Sequence, residues 1–207
     1  DYLAQLPNRD KLKQRLTQLW NYEKISAPFR KGNYYFFYKN DGIQNQSVLY
    51  VQEGLNGTPR VLLDPNKLSS DGTVSIGVLS VSNNAKYTAY AIGKAGSDWQ
   101  EIHILETSTG KELTDQLNWI KFSGISWRGD GFYYSRYAAP EEGKAYSKKN
   151  EFHKLYYHQI GDTQDKDILV AEDKEHPLRN IGASVTNDER FLVKEETEST
   201  HGSTLHI

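Results

Sequence analysis

The chain has 207 residues, 37% hydrophobic and 25% charged, with a formal net charge of −2 at pH 7, which fits a folded chain with a sizeable core. That charge, with no basic stripe, argues against a nucleic-acid partner, and no apolar run approaches the ~20 residues of a membrane span. The absence of cysteine excludes a disulfide framework, a thiolate metal site and a cysteine nucleophile.

The first element is a helix. In "NRDKLKQRLTQLW", Leu12, Leu16, Leu19 and Trp20 fall at i, i+4, i+7 and i+8, an apolar stripe on a charged helix with Asn8 as its N-cap. After Tyr22 the pattern changes to short strands between Gly, Asn, Asp and Ser turns. The 14 tyrosines suit strands, because a flat ring packs on a pleated face while its hydroxyl stays wet.

These strands repeat. A turn followed by an aromatic strand recurs as "RKGNYYFFY", "SNNAKYTAY", "WRGDGFYYS" and "TNDERFLVK", which align Tyr34, Tyr87, Phe132 and Phe191. An apolar strand follows in the first three units, with Leu49, Ile102 and Leu155 spaced 53 residues apart. The third unit carries an eight-residue insertion in "AAPEEGKAYSKKN", and a further strand closes each unit: "RVLLD", a weaker "ELTDQL", then "DILVA". Four strands at about fifty residues is the period of a β-propeller blade. The fold expected is therefore all-β, a partial propeller of about three and a half four-stranded blades after a short helix. The missing initiator Met and the incomplete fourth unit suggest a piece of a longer protein, whose open blade edges would favour self-association.

The same repeat interprets Arg128-Gly129-Asp130. The tripeptide occupies the turn slot held elsewhere by Asn83-Asn84-Ala85 and Asn187-Asp188-Glu189, so it reads as strand punctuation rather than an adhesion ligand. Asn45-Gln46-Ser47 and Asn56-Gly57-Thr58 match the glycosylation pattern in turns where Asn and Gly are expected anyway. No G-x-S-x-G or H-E-x-x-H string occurs, and the six histidines lack paired ligand spacing, so no metal or cofactor is expected.

The segments "LWNYEKISAPFRKGNYYFFYKNDGIQNQSVLYVQ", "AGSDWQEIHILETSTGKEL", "KFSGISWRGDGFYYSRY" and "NEFHKLYYHQIG" resemble the amino-terminal region of the prolyl oligopeptidase family, serine peptidases of the S9 class. The resemblance runs in consistent order through the whole chain. It implies a seven-bladed propeller over an α/β-hydrolase domain, with residues 1–20 packing on the hydrolase part and 21–207 forming blades one to three and part of four. It also implies cleavage of short peptides after proline by a Ser-Asp-His triad in the hydrolase domain, so this chain alone would be inactive. The partners implied are short proline-containing peptides and the hydrolase domain of the same protein.

Among site residues, the resemblance implies that Phe122 lines the subsite for the third residue before the cleaved bond; otherwise it is an ordinary core aromatic. Asp98 matches an acidic residue facing an Arg of the hydrolase domain. Asn180 or Ile181, and Thr200, fall at further subsite positions, where this sequence departs from the family's large or sulfur-bearing side chains. The compartment expected is the cytoplasm, with the periplasm as alternative. A free-standing propeller scaffold is the competing reading; the lack of Trp-Asp strand endings argues against it.

Overall fold

The computed structural model describes residues 2–147, 149–200 and 202–207; Lys148, inside the inserted loop, and His201 lie outside the described residues. The chain forms two compact units, Asp1–Gly72 and Thr73–Ile207. In the first, helix α1 (Arg9–Trp20) precedes five strands, β1 (Lys24–Ile25), β2 (Phe29–Lys31), β3 (Tyr34–Asn40), β4 (Val48–Glu53) and β5 (Arg60–Leu63). Strands β3, β4 and β5 pair in order, while β1 and β2 both pair with β3. Leu12, Leu16, Leu19 and Trp20 of α1 are all exposed, so the apolar stripe is real and has no cover within this unit. Asn8 is the N-cap residue, but its side chain makes no capping bond; its carbonyl accepts the Leu12 N–H.

The second unit contains β6 (Val74–Val81), β7 (Tyr87–Lys94), β8 (Gln100–Glu106) and β9 (Glu112–Ile120) as one antiparallel blade. The next blade is β10 (Ser126–Arg128), β11 (Gly131–Arg136), β12 (Lys154–Gln159) and β13 (Ile168–Glu172), joined to β9 by the Arg136–Ile120 pair. Strands β14 (Asn180–Val185), β15 (Leu192–Thr197) and β16 (Ser203–His206) form a separate three-stranded sheet. The four-stranded period expected from the repeat is present. Leu49, Ile102 and Leu155 are each fully buried, because each occupies the same inward step of its blade's third strand.

One alignment changes. Tyr34 pairs with Glu53 and Tyr87 with Glu106, four residues beyond Leu49 and Ile102. The corresponding residue after Leu155 is Gln159, and it pairs with Gly131, not Phe132. Gly131 holds the slot because a Cβ there would lie 2.3 Å from the Tyr157 hydroxyl oxygen and 2.4 Å from the His158 carbonyl oxygen. Tyr157 takes up the space the aromatic fills elsewhere, and its hydroxyl donates to the Arg128 carbonyl at 3.0 Å. Phe132, one step on, points inward and is fully buried.

Arg128-Gly129-Asp130 is a hairpin turn, as the repeat required: Arg128 pairs with Gly131 across Gly129 and Asp130, with Gly129 in the left-handed region at φ 60°. The matching turn positions are Gly32, Ala85 and Glu189, at φ 56°, 58° and 58°. The Glu189 carboxylate links three successive turns by accepting from the Asn83 side chain and from the Gly129 N–H, both at 2.8 Å.

A buried polar network stitches β9 to the following blade. His158 on β12 faces Asp167 through Nδ1 at 2.6 Å and Asp115 on β9 through Nε2 at 3.1 Å. Each ring nitrogen meets a carboxylate oxygen, an arrangement that favours the ring with both nitrogens protonated. Burial pulls its pKa down, but the bonds and charges of Asp167 and Asp115 outweigh that and leave it raised. The Tyr134 hydroxyl donates to the other Asp167 oxygen.

Gly131→Ala is expected to cost about 1–3 kcal/mol of stability by overpacking, read from the denaturant midpoint. Gly124→Ala is the control: nothing lies within 4 Å of its added Cβ, and the midpoint should move little.

Candidate functional site

In antiparallel blades successive connections alternate between two ends. The β7–β8, β9–β10, β11–β12, β13–β14 and β15–β16 connections therefore emerge at one end of the second unit. Asp98 lies on the first of these, Phe122 on the second, the insertion on the third, and exposed Thr200 on the fifth. Asn180 opens β14 at the same end.

Lys121 organises one corner of this rim. Its side chain is only 14% exposed, and its Nζ lies 3.4 Å from Asp98 Oδ2. The same ammonium sits 5.3 Å from the ring centroid of Trp99 and 5.3 Å from that of Phe122. Trp99 packs edge-on against Trp119 and Tyr137, and its indole N–H donates to the Ala145 carbonyl in the insertion at 2.9 Å. One lysine thus joins Asp98 to Phe122, and one tryptophan fastens the inserted loop beside them.

Phe122 is not a core residue. It is 63% exposed, on a backbone at φ +54°. Trp119 and Phe152 at the same rim also have left-handed backbones, at φ +63° and +60°. For bulky side chains this conformation costs on the order of 1–3 kcal/mol each, and it persists only where surrounding contacts fix it.

His153 supplies such contacts. Its Nδ1 accepts the Ile181 N–H at 3.1 Å, which leaves Nε2 to carry the proton and donate to the Lys121 carbonyl at 3.0 Å. Both bonds need the neutral ring. Burial pushes the His153 imidazole down to about 4, against a smaller upward pull from the Lys121 carbonyl.

Ile181 requires a correction. Its side chain is 1% exposed and packs with Tyr133 and Leu155, so it has no surface for a peptide to touch. Its backbone is occupied too, with the N–H on His153 and the carbonyl accepting from Ser135 Oγ. Neighbouring Asn180 accepts the Tyr137 hydroxyl at 2.9 Å. The sequence reading picked out Asp98 and Phe122, which the structure brings together through Lys121. It missed Lys121, Trp99 and His153. The adjacency of Lys121 to Phe122 and of Trp99 to Asp98 is the one signal that could have found the first two.

Among the described residues no group of three or more His, Asp or Glu is placed to hold a metal, and no helix is long and apolar enough to cross a membrane. A family profile described as prolyl oligopeptidase, N-terminal β-propeller domain, matches residues 1–207. The chain belongs to the prolyl oligopeptidase N-terminal β-propeller family. It is 49% identical to the prolyl endopeptidase of Elizabethkingia meningoseptica over 208 residues, covering all of this chain and 29% of that protein. With the dual function macrocyclase-peptidase POPB of Galerina marginata it shares 33% identity, over 99% of this chain and 31% of that protein. A solved structure of prolyl oligopeptidase B from Galerina marginata, bound to a 35mer hydrolysis and macrocyclization substrate, aligns with TM-score 0.88 at 31% identity. That alignment covers 99% of this chain and 31% of the solved chain. Oligopeptidase B from Leishmania major, at 13% identity and TM-score 0.72, shares the fold. The chain therefore spans just under a third of the length of these prolyl oligopeptidase relatives.

The two His153 bonds give a signed pH dependence. With a native pKa of about 4 against an unfolded value near 6.5, the unfolded state binds the extra proton between those limits. Stability is fully present above about pH 6.5 and falls as pH drops toward 4, by on the order of 3 kcal/mol from this residue. His153→Gln keeps a donor and an acceptor without the titration. Denaturant unfolding at pH 7, 5.5 and 4 should show a shallower loss for His153→Gln than for the wild-type chain.

Proposed function

We propose that this chain is the propeller part of a serine peptidase that cleaves short peptides after proline, and that its rim faces the catalytic hydrolase domain. The single observation behind the reading is the match along all 207 residues to a propeller family whose relatives are named prolyl endopeptidases. On this proposal the exposed stripe of α1 and the 76% exposed side chain of Asp98 meet the hydrolase domain, and residues 21–207 form the propeller portion. The triad would lie in that domain, with the propeller admitting flexible peptides and excluding folded ones. Phe122 contacts the third residue before the cleaved bond. Its exposed ring, held on a strained backbone beside Lys121, supports that role better than a packing role. Thr200, exposed on the same rim, is a further contact; Asn180 replaces Ile181 as the candidate on β14. The setting we propose is cytoplasmic, and fractionation of cells against a periplasmic marker tests it.

The activity test uses the intact protein with a fluorogenic peptide carrying proline before the scissile bond. Turnover abolished by a serine-directed phosphonate is expected; no turnover contradicts the reading. Phe122→Ala should lower kcat/KM about tenfold for a peptide reaching the third residue and leave a two-residue substrate nearly unchanged. A ratio unchanged by the substitution would remove Phe122 from the substrate path.

A further inference from the structure

Beside Trp99 the rim carries a second feature, which the contacts with Asp98 and Phe122 do not use. Trp99, Trp119, Ile92 and Tyr146 line a cup of about 220 Å³ opening to solvent. The rings of Trp99 and Trp119 stand at 87° with centroids 5.6 Å apart, forming two walls of a right-angled corner. Tyr146, on the inserted loop, is 83% exposed. The loop carrying it is held by the bond from Trp99 to Ala145. The charged side chains on the wall, Lys94 and Glu101, pair at 2.8 Å, so the cup offers an apolar surface with its charges neutralised.

We propose that this cup is an outer subsite for an apolar side chain, proline or leucine, of the same peptide that passes Phe122; the proposal rests on the peptidase reading. The distance argument comes from Lys121. The Phe122 and Trp99 centroids each lie 5.3 Å from its Nζ, so they are no more than about 11 Å apart. An extended chain advances about 3.3 Å per residue and returns a side chain to the same face every second residue. A peptide whose third residue before the cleaved bond rests on Phe122 therefore presents its fifth residue to the cup as a β-strand, or its sixth as a polyproline helix with three residues per turn. Flat indole faces favour a proline ring, whose preformed extended backbone loses little freedom on docking. The paired Lys94 and Glu101 leave no free charge to attract an acidic or basic side chain. The insertion then has a specificity role: it supplies Tyr146 as the cup's outer wall.

The test uses the intact protein and peptides sharing the same residues up to the third position. One stops there; two others extend to the sixth residue, with proline or aspartate at the fifth and sixth positions. The proline peptide should have the higher kcat/KM by about threefold to tenfold, the effect of one aromatic contact. Tyr146→Ala should erase that preference while leaving the three-residue peptide and the melting temperature unchanged. Trp99→Phe, which keeps a ring but loses the N–H bond to Ala145, should reduce the preference in part. Turnover with no preference for proline over aspartate, or a preference that survives Tyr146→Ala, overturns the subsite alone. Absence of turnover with every peptide overturns the peptidase reading beneath it.

Discussion

The rim depends on one neutral imidazole. His153 takes the Ile181 N–H on one nitrogen and gives a proton to the Lys121 carbonyl from the other, so it ties the start of β14 to the connection that carries Phe122. Were this ring charged, it would lose its only acceptor and the Ile181 N–H would be left buried without a partner, a cost of about 1–3 kcal/mol. With it neutral, Lys121 is fixed from its backbone, and its ammonium can rest between Asp98, Trp99 and Phe122. The left-handed backbone of Phe122 is tolerated because the residue before it is held this way.

Among the described residues, the other fully enclosed histidine is biased the opposite way. His158 lies between Asp115 and Asp167, donates from both nitrogens and so favours the charged ring. The two rings sit on the same blade, one at the start of β12 and the other near its end. The difference comes from what faces each of them: backbone amide groups for His153, carboxylates for His158. Together they show how the blades are joined. Apolar packing around Ile102, Leu117 and Phe132 fills the space between sheets, and the polar bridges set the registration at both ends.

The sequence carried most of the fold because stacking imposes a period. Leu49, Ile102 and Leu155 recur at equal spacing and are all enclosed, and the turn residues recur with them. Where the period misled, a single side chain was responsible: Tyr157 fills the third unit's aromatic slot and forces Gly131 into it, shifting the alignment from Phe132 by one. The weak strand "ELTDQL" extends to Ile120, and its polar look reflects Asp115, a buried carboxylate whose partner His158 lies 43 residues away. The rim was harder to read. Nothing in "KFSG" marks a phenylalanine that faces solvent on a backbone such residues avoid, and Ile181 is a core residue only because Tyr133 and Leu155 lie against it. The helix was legible from its spacing, but what its stripe covers was not.

The functional account turns on Phe122 as a surface that a peptide touches. The most direct measurement places a photoreactive benzoyl-phenylalanine at position 122 of the intact protein, with an uncleavable proline-containing peptide bound. Mass spectrometry of the irradiated complex should find the cross-link on the third residue before the position of cleavage. Cross-links confined to the propeller's own residues, with the peptide demonstrably bound, would contradict the account and make Phe122 a packing residue of the rim.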